Sequence, residues 1–338
     1  MSHCTVYAIT NQKGGVGKTT TTVNLGIGLA KAGKKDLLID FDPQASLTAS
    51  LGYKQPDELD DTISTVLEHS ISDKPMARDY AILHHDEGVD FIPSNIELSE
   101  LEVRLINTMS REQALREYLD SVKENYDYIL IDCMPSLGVI TINALVAADR
   151  VIIPTQPNYL SAKGLDLLAQ SIRRVQRRLN PQLEIAGTLF TMVDNRTNHA
   201  RSVIEALRSG SLPVFDTEIP FSVRAAEAAL EGKSIFAHDK NGKVAESYGN
   251  LIKEVQALEH IAAQQKIAQG IQDNGFGNVG GMIMGMNVAQ GLGAQAEPKQ
   301  TLSFDQQIET LKKMKELLDA GILSKEEFDA KKKEIMGL

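Results

Sequence analysis

The stretch Lys13-Gly14-Gly15-Val16-Gly17-Lys18-Thr19-Thr20 follows the apolar run Val6-Tyr7-Ala8-Ile9 and precedes a helical pattern that begins at Val23. Its three glycines let the backbone curl so that consecutive N–H groups meet one anion; the start of a helix adds partial positive charge, and Lys18 adds a full one. Strand, glycine loop and helix in this order make a phosphate cradle. Thr19 follows the lysine, where a hydroxyl can ligate the magnesium ion that accompanies a nucleoside triphosphate. The usual spacing of such loops asks for glycine at position 12, where Gln12 stands, and a second lysine, Lys13, occupies the loop entrance. One lysine suffices to cradle phosphates, so the second implies extra charge neutralisation during γ-phosphoryl transfer.

Apolar strands that end in carboxylates extend the pattern. After a helix expected to stop at Gly33, Asp36-Leu37-Leu38-Ile39 reads as a buried strand delivering Asp40 and Asp42 to its C-terminal end. Ligands of open parallel sheets bind outside the carboxyl ends of strands, so both carboxylates are expected to face the cradle, although turn and cap chemistry also favours Asp-Pro. Tyr128-Ile129-Leu130-Ile131-Asp132 repeats the arrangement, with Asp132 placed to hold magnesium through water. Between them, residues 53–88 are polar and irregular, Val89–Pro93 is a short strand, and Ser110 with Gln113 forms a capping pair for the helix bearing Leu115, Leu119 and Val122. Further strands at Val151–Thr155, Ala186–Val193 and Val214–Ile219 alternate with helices, the last running from Val244 to about Ile267. This alternation predicts an α/β doubly wound, mostly parallel sheet.

The chain has 338 residues, 42% of them hydrophobic, and a formal net charge of −10. Such a balance argues against a generally basic nucleic-acid binder, yet Ser171–Gly210 holds seven arginines and three acids, a local excess of +4. Arg173, Arg174, Arg177 and Arg178 lie opposite the apolar stripe of their helix, as a solvated face would. A basic surface without base-reading motifs suits phosphate-backbone contact without sequence preference. Cys4 and Cys133 supply neither a disulfide framework nor metal-ligand spacing, which predicts reduced thiols in the cytosol. The first residues lack the pattern of a secretory signal, and no N-terminal accessory domain is expected before the first strand.

The expected domains are an ATPase domain over 1–267, a Gly/Met-rich flexible linker over 268–300 and a helical module over 301–338. The linker carries Gly277, Gly281 and Gly285 at four-residue spacing, but its asparagines and many glycines disfavour a membrane span. In the module, Ile308, Leu311, Met314, Leu317 and Leu318 share one helical face, Gly321 ends the helix, and Ser324 with Glu327 caps a second helix bearing Phe328 and Ile335. Two short helices bury too little for a core, so the stripe is expected to pack on another copy or a partner, or back on the ATPase domain.

Residues 3 to about 262 resemble the ParA/Soj family of partition ATPases, the deviant P-loop group that includes MinD. The resemblance rests on Lys13 to Thr20, on Asp40-Phe-Asp-Pro-Gln, on Ile131-Asp-Cys-Met-Pro-Ser, on Thr191-Met-Val-Asp-Asn-Arg-Thr-Asn and on Ile219-Pro-Phe-Ser-Val-Arg-Ala-Ala-Glu-Ala. It implies an ATP-dependent homodimer with ATP and Mg2+ bound by Gly14, Gly15, Val16, Gly17, Lys18, Thr19 and Thr20. Lys13 would reach the partner's phosphates, Asp42 would position the attacking water, Asp132 would serve the magnesium site with Asp40 as a further candidate, and Pro220 would lie near the adenine. Arg196 and Arg224 match arginines that bind DNA backbone non-specifically, and a ParB-like adaptor would stimulate hydrolysis in a cytoplasmic, nucleoid-associated setting. Met134 stands where the family usually has a first proline, and Phe221 where a basic residue is common, the latter weakening the DNA assignment. No Asn-Lys-x-Asp element favours a GTPase, and no amphipathic membrane helix directly follows the ATPase pattern. The tail from Ile308 to Leu338 resembles the SHOCT module, an oligomerisation or interaction element. The competing reading is a nucleotide-switched scaffold that recruits a membrane or protein assembly through this tail without DNA.

Overall fold

The computed structural model describes residues 4–72, 74–194, 196 and 198–273. The remainder of the linker and the whole tail therefore lie outside the described residues, as do two positions of the Thr191–Asn198 motif.

The strands in chain order are β1 (Thr5–Ile9), β2 (Asp36–Phe41), β3 (Leu83–His85), β4 (Val89–Ile92), β5 (Tyr128–Cys133), β6 (Arg150–Thr155), β7 (Glu184–Val193) and β8 (Val214–Pro220). The helices are α1 (Lys18–Lys31), α2 (Ser46–Ser50), α3 (Ile63–Ile71), α4 (Glu97–Leu105), α5 (Ala114–Val122), α6 (Val139–Ala147), α7 (Tyr159–Arg178), α8 (Asn198–Arg208), α9 (Val223–Leu230), α10 (Ile235–His238) and α11 (Lys243–Asp273). The strands form one sheet in the order β3-β4-β2-β5-β1-β6-β7-β8. All neighbours are parallel except the edge pair β3 and β4. This is the doubly wound α/β fold of P-loop nucleoside triphosphatases. From β1 the chain crosses to β2 on one side and later to β6 on the other, so the glycine loop after Ile9 sits where the winding reverses.

Period-two alternation feeds two cores. Leu37, Ile39, Phe41, Ile129 and Ile131 face the layer of α3 to α7, whereas Leu38, Tyr128 and Leu130 face α1, α10 and α11. Within the second of these layers, α1 is buried on nearly every side, with Leu25, Ile27 and Leu29 fully buried. It stops as expected: Gly33 takes a left-handed φ of 81° and its N–H closes on the Ala30 carbonyl. The closing helix α11 continues to Asp273, past the point where the composition turns linker-like.

Some local expectations change. Ser110 adopts φ 53°, so α5 starts only at Ala114, with Gln113 before it making no side-chain cap bond. The irregular stretch 53–88 also holds strand β3, whose His84 pairs with Asp90 on β4 at 2.8 Å.

Asp36, at the foot of β2, is the least comfortable buried group. It is 2% exposed, and neither carboxylate oxygen has a hydrogen-bond partner among the described residues. Burial, with Asp90 and Asp127 nearby, pushes its pKa to about 8. The folded chain therefore keeps a proton that the unfolded chain releases near pH 4, and stability falls as pH rises from about 4 toward 8, by up to about 1.4 kcal/mol per pH unit. Asp36→Asn is expected to flatten the decline of thermal midpoint between pH 5 and 8 and to stabilise the fold at pH 8 by about 2 kcal/mol. Parallel pH slopes for variant and parent would refute this account.

Candidate nucleotide site

The loop after β1 is held by its carbonyls and leaves its N–H groups free. Asn11, buried, donates to the Pro154 carbonyl at 2.8 Å and to Thr155 Oγ1 at 3.2 Å, while its Oδ1 accepts the Lys13 N–H at 3.0 Å. Gln156 Nε2 donates to the Gly15 carbonyl at 3.1 Å, and Thr191 Oγ1 to the Val16 carbonyl at 2.7 Å. Lys18 Nζ lies 3.4 Å from the Lys13 carbonyl, and the Gly17 carbonyl accepts the first helical bond from Thr21. Among the described residues, none accepts from the N–H groups of Gly14 to Thr20. Gly15 and Gly17 take φ values of 68° and 82°, the left-handed conformation that turns successive N–H groups to one side. Gly17 precedes α1 without a side-chain cap, and the first turn of α1 has no acidic residue. Orphan donors, helix dipole and the buried Lys18 ammonium together make a site for a polyanion.

Two carboxylates stand beside it. Asp40 and Asp132 are direct neighbours in the β2–β5 register, both on the α1 side of the sheet, and both are buried. Asp132 Oδ2 accepts the Thr19 hydroxyl at 2.6 Å, which joins the two residues read as the magnesium site. Asp40 Oδ2 accepts both the N–H and the hydroxyl of Thr48, at 2.8 and 2.7 Å, so it also anchors the turn into α2. Asp42 is half-buried and its Oδ1 accepts the Gln44 N–H at 2.9 Å, the turn chemistry that Asp-Pro favours. Burial, opposed by the Thr48 bonds, raises Asp40 to about 7; burial and then the Asp40 charge raise Asp132 to about 8.

These residues fit a hydrated divalent cation. Among the described residues, the two adjacent buried carboxylates have Lys18 as their nearby counter-charge, and a hydroxyl lies against one of them. Among the described residues there is no cluster of three acidic, histidine or cysteine ligands, so the set suits magnesium that keeps waters and phosphate oxygens rather than a full protein cage. Thr19 and Asp132 would hold it.

The remaining sequence candidates lie on the same edge of the sheet. Lys13 is exposed at the loop mouth and has no carboxylate partner among the described residues. Thr20 gives its carbonyl to Asn24 Nδ2 at 2.7 Å. Pro220 ends β8, and Phe221 after it lines an open depression of about 320 Å³ with Gln156, Pro157, Asn158, Met192, Asp194 and Ala200. Arg196 is an exposed surface residue bonded to Asp194, and Arg224 at the start of α9 pairs with Asp239 at 3.3 Å. Asn11, Gln156 and Thr191 hold the loop through contacts that no local sequence pattern announces, although Thr191 opens the Thr191–Asn198 segment.

Fold, loop, hydroxyl and strand-end carboxylate define a P-loop nucleoside triphosphatase. Comparison with known proteins narrows this. Residues 4–185 match the family described as AAA domain, and residues 309–336 the Short C-terminal domain. The chain is 46% identical over 253 residues to the sporulation initiation inhibitor protein Soj of Bacillus subtilis, covering 75% of this chain and 98% of Soj. It is 42% identical to the chromosome partitioning protein ParA of Myxococcus xanthus, covering 74% and 87%. A solved structure named cobyrinic acid a,c-diamide synthase from Mycobacterium smegmatis, with bound ATP analogue and magnesium, superposes with a TM-score of 0.65 at 36% identity, covering 74% of this chain and 93% of that one. The chain belongs to the ParA/Soj/MinD family of P-loop ATPases and carries a SHOCT domain near its C-terminus.

The Thr19–Asp132 contact carries a direct test. Asp132→Asn is expected to weaken magnesium-dependent nucleotide binding by about 10–100-fold while leaving magnesium-free binding within a few-fold. Equal losses with and without magnesium, measured by titration with a fluorescent nucleotide, would remove Asp132 from the metal site.

Proposed function

We propose that this chain is an ATP-operated partition or positioning ATPase in which two subunits close on ATP, hold DNA non-specifically, and release it when a ParB-like partner stimulates hydrolysis. The observation that carries the proposal is the loop itself: Lys18 is buried in its own cradle, while Lys13 is exposed at the mouth and, among the described residues, pairs with no carboxylate. A second subunit's phosphates would supply the missing negative charge. The kinship with Soj and ParA supports the partition reading.

In this reading, Gly14 to Thr20 bind the phosphates of ATP, Thr19 and Asp132 hold magnesium, and Lys13 and Lys18 neutralise the charge that develops on the transferred group. Magnesium supplies further neutralisation of the phosphate oxygens when bound. Asp42, at the carboxyl end of β2, positions the attacking water. Pro220, with the depression rimmed by Phe221, would receive the base. Arg196 and Arg224, on the cradle edge of the sheet, would exchange Asp194 and Asp239 for DNA phosphates. Such contacts confer affinity without sequence preference. The proposed setting is the cytoplasm at the nucleoid; among the described residues no helix is long and apolar enough to cross a membrane.

The SHOCT domain favours a second reading, in which the nucleotide switch recruits a protein or membrane cargo through residues 309–336 by self-association or partner binding, and DNA is irrelevant. Co-sedimentation with DNA separates the two. ATP-dependent retention that falls steeply with salt, and is lost on Arg196→Glu with Arg224→Glu, supports the first; retention indifferent to ATP and salt refutes it. Lys13→Ala is expected to leave ATP affinity within about threefold and to lower hydrolysis by roughly 10²-fold or more, as removal of a transition-state charge does. Equal loss of binding and turnover would make Lys13 part of the cradle alone.

A further inference from the structure

Helices α2 and α9 end against each other. Each closes on a glycine three residues beyond an alanine: Gly52, at φ 98°, donates its N–H to the Ala49 carbonyl, and Gly232, at φ 69°, donates to the Ala229 carbonyl. Ala49 and Ala229 are the penultimate residues of their helices. The two turns touch backbone to backbone, since a Cβ on Gly232 would lie 2.8 Å from Gly52 Cα and 3.0 Å from its N. Lys54 completes the junction. Its Nζ donates to the Ala49 carbonyl at 2.9 Å and to the Ala229 carbonyl at 3.2 Å.

Two helix C-termini brought together carry partial negative charge of the same sign, and an ammonium between them offsets it. Water would satisfy either exposed carbonyl by itself, without the rotamer entropy that ordering a lysine costs. What Lys54 adds is a bond from one helix to the other. Each helix leads back to a residue of the proposed cycle. Before α2 comes Ala45, held at a left-handed φ of 51°, whose N–H bonds the Asp42 carbonyl. Near the start of α9 stands Arg224.

We propose that Lys54 is a positioning residue of the ATPase, given the roles proposed above for Asp42 and Arg224: by bonding α2 to α9 it holds the water-positioning turn and the arginine helix as one body. Asp40 fixes α2 at its middle, through Thr48. Leu47 and Leu51 seat it in the core without fixing its tilt, because apolar burial is non-directional. Released from Lys54, this short arm can pivot about Thr48 and carry Asp42 with it. The turn after α9 has anchors of its own, since His85 Nε2 meets the Gly232 carbonyl at 3.3 Å and Glu87 holds Ser234 through both N–H and hydroxyl. Lys54 therefore orders the Asp42 arm against a seated α9.

The full-length chain tests this through steady-state ATP hydrolysis of Lys54→Met, which keeps the apolar stem, and Lys54→Arg, whose fork can reach both carbonyls. Lys54→Met is expected to lower kcat about tenfold with KM for ATP within about twofold, and Lys54→Arg to return kcat to within about threefold of the parent. A thermal midpoint near that of the parent shows that each variant is folded. In an Asp42→Ala background, Lys54→Met should change kcat by less than about twofold, because the two residues act on one step. The ratio of DNA retention with a non-hydrolysable ATP analogue to retention with ADP should fall at least about fivefold in Lys54→Met and recover in Lys54→Arg. A parent with no such nucleotide dependence refutes the DNA reading above, and the kcat split and the Asp42 background still decide the role of Lys54. A kcat for Lys54→Met within about twofold of the parent, a loss that appears equally in KM, or a roughly tenfold loss that persists in Asp42→Ala would each overturn the proposal.

Discussion

A single polarity governs the site: the loop between β1 and α1 has its carbonyls occupied and its amides open. Thr191 and Gln156 take the Val16 and Gly15 carbonyls, and Asn11 ties the loop entrance to the end of β6. A peptide plane whose oxygen is pinned has its N–H fixed on the other side. Three strand ends, those of β1, β6 and β7, must therefore be in register for the amides to point together. The parallel sheet supplies that register.

The same register explains why two carboxylates can be buried next to one another. Asp40 and Asp132 are paired across β2 and β5, and isolated charges there would be costly. Each has its own compensation, Thr48 for Asp40 and Thr19 with Lys18 for Asp132. The division sorts their roles. Asp40 is committed to the turn that carries the chain into α2, whereas Asp132 meets a hydroxyl that belongs to the cradle itself. Asp36 lacks any such compensation, and its burial beneath α1 is a cost to the fold with no link to the phosphate site.

What could be read in advance followed physical range. The strands, the cradle and the strand-end aspartates were legible because each depends on neighbours in sequence: an apolar run, glycines at fixed spacing, a carboxylate at a strand end. Asn11 and Gln156 were not, because their importance comes from carbonyls on the loop that only the folded β1–β6–β7 neighbourhood brings near. Ser110 misled for a local reason. A serine three residues before glutamine satisfies the capping pattern, but a left-handed backbone at Ser110 moves the helix start to Ala114. The arginine excess misled for a global one, since a charge count along the chain ignores Asp216 and Glu218, which neutralise Arg208 from the next strand.

The cradle is also joined mechanically to a surface that sequence order separates from it by some two hundred residues. Asn24, nearly two turns into α1, donates to the Thr20 carbonyl and accepts the Ile235 N–H at 2.7 Å, where the chain passes from α9 into α10. Ser234, its neighbour, is bonded through both N–H and hydroxyl to Glu87, which also meets Lys31 at the far end of α1. The buried Tyr248 of α11 lies 3.3 Å from Thr21 on the same helix. Helix α1 thus begins at the phosphate-facing amides and is gripped along its length by the segment that follows Arg224, with Asp239 at the end of α10 holding that arginine. A displacement of α1 on filling the cradle would act on these bonds first, because the apolar packing around α1 is dense and leaves it to move as a rigid rod. Helix α7, by contrast, packs through its apolar stripe on the other side of the sheet. The tie between the Arg224 segment and the nucleotide site thus follows from the side of the sheet that α1, α10 and α11 share.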